Sequence, residues 1–200
     1  MTVGMRKRIL EMTVATLAIV LNGIADASAA TAGESGSARA ACAEPPAALG
    51  KFQASPPGKE LPTVPWVEEG GGERPVSELR GKGLVLNFWA TWCAPCVKEM
   101  PALDRLAKQA EARGFRVLAL SADREGAAVV RQFYGVNSIG TLAVALDKPS
   151  RVARATGIGG LPTTVLYGAA GHEVGRVVGV AEWDAPAVVT FLAACLASES

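Results

Sequence analysis

The sequence predicts an α/β domain in which a mixed sheet is flanked by helices, and three observations carry this. Between Gly83 and Thr156, strand-length apolar runs alternate with stretches of helical periodicity. Two β-rich runs, Thr163–Tyr167 and Glu173–Val180, follow and are joined by a glycine-containing turn at Ala169–Gly171. A final helical stretch after Asp184 closes the pattern.

Gly83–Trp89 is almost continuously apolar, as expected of a strand buried on both faces. A helix is expected from the Cys93–Cys96 turn to about Arg113, because Met100, Leu103, Leu106, Ala107 and Ala110 recur at helical spacing. Pro101 lies inside that helix and is expected to kink it, and Gly114 to stop it. Strand Phe115–Leu120, helix Glu125–Tyr134, short strand Leu142–Leu146 and short helix Ser150–Thr156 come next. Asp184 is expected to cap the last helix, with Pro186 in its first turn.

The domain is expected to span residues 61–200, enough for one core. Residues 30–60 are rich in Ala, Gly, Ser and Pro and read as a flexible linker. Residues 1–29 read as an export signal or an N-terminal anchor: a basic Arg6-Lys7-Arg8, a mostly apolar Met12–Ile24, then small residues. Glu11, Asn22 and Asp26 keep the apolar stretch below the ~20 residues of a membrane span, which favours cleavage. Twenty Lys and Arg face nineteen Asp and Glu, so no strong field favours a nucleic-acid partner.

The four cysteines are Cys42, Cys93, Cys96 and Cys195, an even number that fits two bridges in an exported protein. Cys93-Ala94-Pro95-Cys96 is the strongest motif. It follows a strand and opens a helix, where unpaired N–H groups and the helix dipole favour a thiolate at Cys93. Cys96, one turn on, can resolve a mixed disulfide. Pro95 removes one N–H near Cys93, which points to a less stabilised thiolate and a more reducing couple. A structural zinc site would want about four ligands, and the chain has one C-x-x-C and one histidine, His172. No metal and no cofactor are therefore expected.

From about Val76 to Val180 the chain resembles the TlpA/ResA/DsbE branch of the thioredoxin superfamily. The residues that carry the resemblance are Asn87-Phe88-Trp89-Ala90-Thr91-Trp92-Cys93-Ala94-Pro95-Cys96, Glu99-Met100-Pro101 and Gly160-Leu161-Pro162-Thr163-Thr164. The resemblance implies a thioredoxin-like fold with an inserted strand and helix between its βαβ and ββα halves. It also implies a periplasmic protein-disulfide reductase, free or tethered by its N-terminus, kept reduced by a membrane donor of the DsbD/CcdA type. Its clients would be proteins of cytochrome c maturation or of oxidase copper-site assembly.

Sequence alone makes trans the default for Leu161–Pro162. The resemblance implies a cis bond facing the cysteines, with the Leu161 backbone open to a client peptide. Glu99 shares a helix face with Cys96, and the resemblance implies that it carries the Cys96 proton; a solvated helix residue is the plainer alternative. Thioredoxin has a buried Asp where Asn87 stands, which leaves Glu99 as the nearest candidate base. Trp92 is expected to offer an apolar client surface, and Trp89 and Trp183 to pack in the core. A Cys42–Cys195 bridge is supported by the even count, but the accessory disulfide of some relatives pairs with a position that here is His172. Three other functions are weighed: copper delivery through Cys93, Cys96 and His172, peroxidase chemistry, and disulfide formation by a strong oxidant. The first two fit the cysteine spacing and setting poorly, and the third is decided by the redox potential.

Overall fold

A computed structural model of the chain describes residues 41–197, so the expected signal or anchor at 1–29 lies outside the described residues. Among the described residues, no helix is long and apolar enough to cross a membrane.

The strands are β1 (Phe52–Ala54), β2 (Pro65–Glu68), β3 (Glu73–Pro75), β4 (Gly83–Trp89), β5 (Phe115–Ser121), β6 (Ala145–Leu146), β7 (Thr163–Tyr167) and β8 (Glu173–Val178). The helices are α1 (Ala94–Ala110), α2 (Ala127–Val136), α3 (Arg151–Ala155) and α4 (Pro186–Ala197). Among the described residues the strands form one sheet in the order β1-β8-β7-β4-β5-β6-β2-β3. Strand β4 runs parallel to β5 and antiparallel to β7, so the sheet is mixed as expected. β6 and α3 form the insertion between the βαβ unit and the closing hairpin β7–β8.

All seven residues of β4 are buried, which is why the strand reads as an apolar run interrupted only by Asn87. Its side chains alternate between two apolar layers. Val85 and Trp89 join Met100, Leu103 and Leu106 of α1 and Val188 and Leu192 of α4. Leu84, Leu86 and Phe88 join Leu118, Leu120, Val165 and Val152 on the other face. Gly83 lets α4 approach closely: a Cβ there would lie 2.5 Å from Leu196 Cβ. Helix α1 runs on through Pro101 and ends in a 3-10 turn, Glu111–Arg113, closed by Gly114 at φ +83°.

Four expectations need correction. First, the proposed linker 30–60 is folded over its described part. Leu49 sits in a 3-10 turn, Ala47–Leu49, and is fully buried, and β1 pairs antiparallel with β8. The Phe52 ring lies against Phe191 at 5.7 Å and over Gly175, where a side chain would collide with it. Second, β6 starts at Ala145 rather than Leu142, because the Thr141 and Leu142 N–H groups donate to Asp104 Oδ1 of α1 at 2.7 and 2.9 Å. Third, α2 starts at Ala127, after Gly126 at φ +89°. Fourth, α4 starts at Pro186, so Asp184 stands one residue before the N-cap position; it accepts from Arg105 Nε at 2.6 Å. The hairpin β2–β3 was not expected; it is short and bounded by Pro65 and Pro75.

Candidate active site

Strand β4 delivers the chain to one end of the sheet, and Ala90–Trp92 turns it into α1. That turn is held from below. Asp123, after β5, accepts from Thr91 N at 3.0 Å, Thr91 Oγ1 at 2.7 Å and Ser121 Oγ at 2.7 Å, and is buried. The Cys93 N–H donates to the Ala90 carbonyl at 3.1 Å, which closes the turn.

Cys93 is the N-cap of α1. Its backbone is extended (φ −89°, ψ 96°) and its Sγ accepts from the Cys96 N–H at 3.3 Å. A cysteine sulfur thus occupies the place that a Ser or Asp oxygen takes in an ordinary N-cap. Cys93 and Cys96 are joined as a disulfide, with Cα atoms 5.2 Å apart. Access differs between the two. Cys93 is 7 % exposed and Cys96 fully buried, so an incoming sulfur meets Cys93 first. Trp92 stands beside them and is 68 % exposed.

Glu99 lies one turn beyond Cys96 and is buried. Its Oε1 accepts from Asn87 Nδ2 at 3.1 Å, and its Oε2 from Trp183 Nε1 at 2.9 Å and the Ala181 N–H at 3.3 Å. Burial pushes its carboxyl up to about 7, against the lowering effect of the hydrogen bonds from Trp183, Asn87 and Ala181. A group poised there can take or give a proton near neutrality. Glu99 forms part of an open groove of about 770 Å³ together with Pro95, Lys98, Val180, Ala181 and Glu182.

The sequence pattern of the AhpC/TSA family matches residues 57–172, more than half of the chain. The chain belongs to that family. A thiol–disulfide oxidoreductase ResA of Bacillus anthracis is 38 % identical over 123 residues, 61 % of this chain and 69 % of that protein. The ResA of Bacillus subtilis is 35 % identical over 124 residues, 61 % of this chain and 67 % of its own. Among solved structures, a DsbE-type thiol:disulfide interchange protein of Chlorobium tepidum matches at TM-score 0.60 and 26 % identity, covering 70 % of this chain and 98 % of that one. The protein is a thiol–disulfide oxidoreductase of the TlpA/ResA/DsbE-like branch of the thioredoxin superfamily.

In this oxidoreductase the sheet register places the other predicted residues. Thr163 and Thr164 at the start of β7 lie opposite Phe88 and Asn87 near the end of β4, so Leu161 and Pro162 sit at the end of the sheet that carries the cysteines. The Leu161–Pro162 bond is cis, and the Pro162 carbonyl accepts from the Gly179 N–H at 2.9 Å. His172 lies beyond the opposite end of β7, about 17 Å along a five-residue strand, so copper ligation by Cys93, Cys96 and His172 is not assembled. Cys42 and Cys195 are bridged, with Cα atoms 4.9 Å apart, and both are buried.

Trp89 packs as expected, stacked on Tyr134 at 5.7 Å. Trp183 is also fully buried, but its indole N–H is spent on Glu99. Sequence reasoning missed that role, together with those of Thr164, Ala181 and Asp123. The Asn87-to-Thr164 contact was open to discovery, since pairing the strand before the C-x-x-C with the strand after Pro162 brings the two side by side.

Proposed function

We propose that the chain reduces disulfides in exported client proteins, with Cys93 as nucleophile, Cys96 as resolving thiol and Glu99 as proton acceptor. The Cys93 thiolate attacks one client sulfur; the client S–S bond breaks, and a mixed disulfide forms while the second client sulfur leaves and takes up a proton. Cys96 gives its proton to Glu99 and attacks Cys93 Sγ, which releases the client as a dithiol. Two electrons pass to the client, and the Cys93–Cys96 pair ends as the disulfide. A second dithiol, from a membrane donor of the DsbD/CcdA type, regenerates it.

The observation that carries the reading is the graded access of the two sulfurs, with a carboxyl poised near neutrality one turn beyond the buried one. Trp92 and Pro95 beside the sulfurs, and the backbone of Leu161 before Pro162, form the client surface in this reading. The chemistry between the cysteines supports reduction over oxidation: Ala94 and Pro95 bring no charge or imidazole to the Cys93 thiolate, and Pro95 withholds an N–H in the first turn. Cytochrome c maturation and oxidase copper-site assembly are the client classes this branch suggests. The N-terminal residues 1–29 would place the domain in the periplasm, free or tethered.

Two measurements test this. Equilibration with a glutathione buffer is expected to give a potential of about −270 to −200 mV; a value near −120 mV, that of a strong oxidant, overturns the reductive reading. A Cys96→Ser variant is expected to accumulate mixed disulfides on Cys93 with exported proteins. No trapped species from an oxidised extract would sink the assignment of Cys96 as resolving thiol.

A further inference from the structure

Four acidic side chains are buried among the described residues: Glu99, Asp123, Asp147 and Glu173. Burial of a carboxylate is costly unless bonds offset it. Glu173 pairs with Arg176 at 2.8 Å, and Asp147 accepts from the Val152 and Ala153 N–H groups at the start of α3. Asp123 is held by neutral donors instead, and two of its three bonds go to one residue. The Thr91 N–H donates to Oδ2 at 3.0 Å and the Thr91 hydroxyl to Oδ1 at 2.7 Å; the third bond comes from Ser121 Oγ at 2.7 Å. Asp123 is itself tied to the sheet. Its N–H donates to Ser121 Oγ at 3.0 Å, the Ala122 N–H to the Trp89 carbonyl at 2.9 Å, and the Asp147 N–H to the Ser121 carbonyl at 2.8 Å.

Thr91 is fixed by Asp123 and the Cys93 N–H by the Ala90 carbonyl, at 3.1 Å, so the short turn into α1 is held at both ends. An N-cap side chain accepts from the N–H of the second or third helical residue. With Cys93 as the N-cap, those residues are Pro95, which has no N–H, and Cys96. The Cys93 sulfur therefore has one ordinary capping donor, and it makes that contact at 3.3 Å. A thiolate that relies on one directed bond is sensitive to where its backbone sits. A turn free to move lets Cys93 leave the extended conformation (φ −89°, ψ 96°) from which its sulfur reaches the Cys96 N–H. Its acidity then drifts toward that of a free thiol.

We propose that Asp123 is a positioning residue for the nucleophile: by holding Thr91 it keeps Cys93 Sγ on its one capping N–H, and so keeps the reduced Cys93 sulfur acidic. The inference rests on the reading of Cys93 as the attacking thiolate and adds what in the fold sustains that role. Around Cys93 the titratable and charged groups are Cys96, Lys98 and Glu99 from α1, Glu182 and Asp184 across the groove with Arg105 paired to Asp184, and Asp123 behind the turn, followed by the exposed Arg124 and Glu125. An Asp123→Asn variant keeps the clamp. Its oxygen accepts from the Thr91 N–H and Ser121 Oγ, and its NH2 donates to Thr91 Oγ1, since a hydroxyl accepts as readily as it donates. Asp123→Ala removes the clamp. Both variants lack the carboxylate charge and share every other group, so the difference between them reports the clamp alone.

The test is alkylation of the reduced full chain with iodoacetamide between about pH 4 and about pH 10, with tandem mass spectrometry locating the label on Cys93. The Cys93 midpoint of Asp123→Ala is expected to lie above that of Asp123→Asn by about half a pH unit or more, the scale of a lost cap. Equal midpoints overturn the proposal, since a residue that only adds stability leaves the thiol titration unmoved in two folded variants. If Asp123→Ala does not fold, Thr91→Val is read against the unaltered chain. That variant keeps Asp123 and the backbone bond of residue 91 and drops only the hydroxyl bond. Its midpoint is expected to rise by about 0.3 pH unit or more, and an unchanged midpoint overturns the proposal. The two readings fail separately: equal midpoints beside successful client trapping remove the Asp123 proposal alone, and separated midpoints beside an oxidant's potential remove the reductase reading alone.

Discussion

Replacing Cys42 and Cys195 together with alanine is expected to lower the unfolding free energy by about 2–5 kcal/mol while thiol–disulfide exchange at Cys93 continues. The bridge spans a sequence separation of 153, nearly the whole described domain, so it removes a large loop-closure entropy from the unfolded chain. Its loss has a local effect as well. Cys42 leads into the Ala47–Leu49 turn and β1, an edge strand of three residues held to β8 by a short ladder. Besides the bridge, the segment is held by the buried Leu49, the Phe52–Phe191 contact and the three-residue ladder to β8. Cys195 sits in the last turns of α4, away from the Trp183 end that reaches Glu99. Denaturant unfolding under oxidising conditions measures the effect. A midpoint equal to that of the unaltered chain would remove the bridge from the account of stability.

What the sequence disclosed and what it withheld divide along contact range. Strands β4, β5, β7 and β8 and helix α1 announce themselves through composition and period, because each buries enough apolar residues locally to leave a pattern. The cysteine pair and Glu99 lie within seven residues on one helix, so their shared face follows from helical spacing. Strand β1 carries no such pattern. It exists because Gly175 leaves room for Phe52 and because Cys42 is tied to Cys195, and both facts join residues more than a hundred positions apart. The same limit hid the environment of Glu99. Trp183 and Ala181 reach it from 84 and 82 positions away, and Asp123 reaches the turn before Cys93 from 32. Asp184 shows the converse error: a residue suited by type to cap α4 stands one position before the cap, because the helix begins at Pro186, and it pairs with Arg105.

The stability of the oxidised chain relative to a Glu99→Gln variant is expected to fall by about 3 kcal/mol as pH rises from 4.5 to about 7, then level off. The folded state holds the Glu99 proton more tightly than the unfolded state does, because burial disfavours the charge more than the bonds from Trp183, Asn87 and Ala181 favour it. Between the unfolded value of 4.5 and the folded value of about 7, the native state therefore binds more protons, and stability declines with rising pH. Below that window the full contribution is present; above it the contribution is gone. Glutamine keeps the shape and cannot ionise, so subtracting its curve removes every other titrating group. Two parallel stability curves for the two proteins would show that the buried carboxyl carries no proton penalty. In the proposed mechanism the same displacement would serve the site: a carboxylate destabilised by its surroundings gains from taking up a proton, and Glu99 stands one helical turn from Cys96.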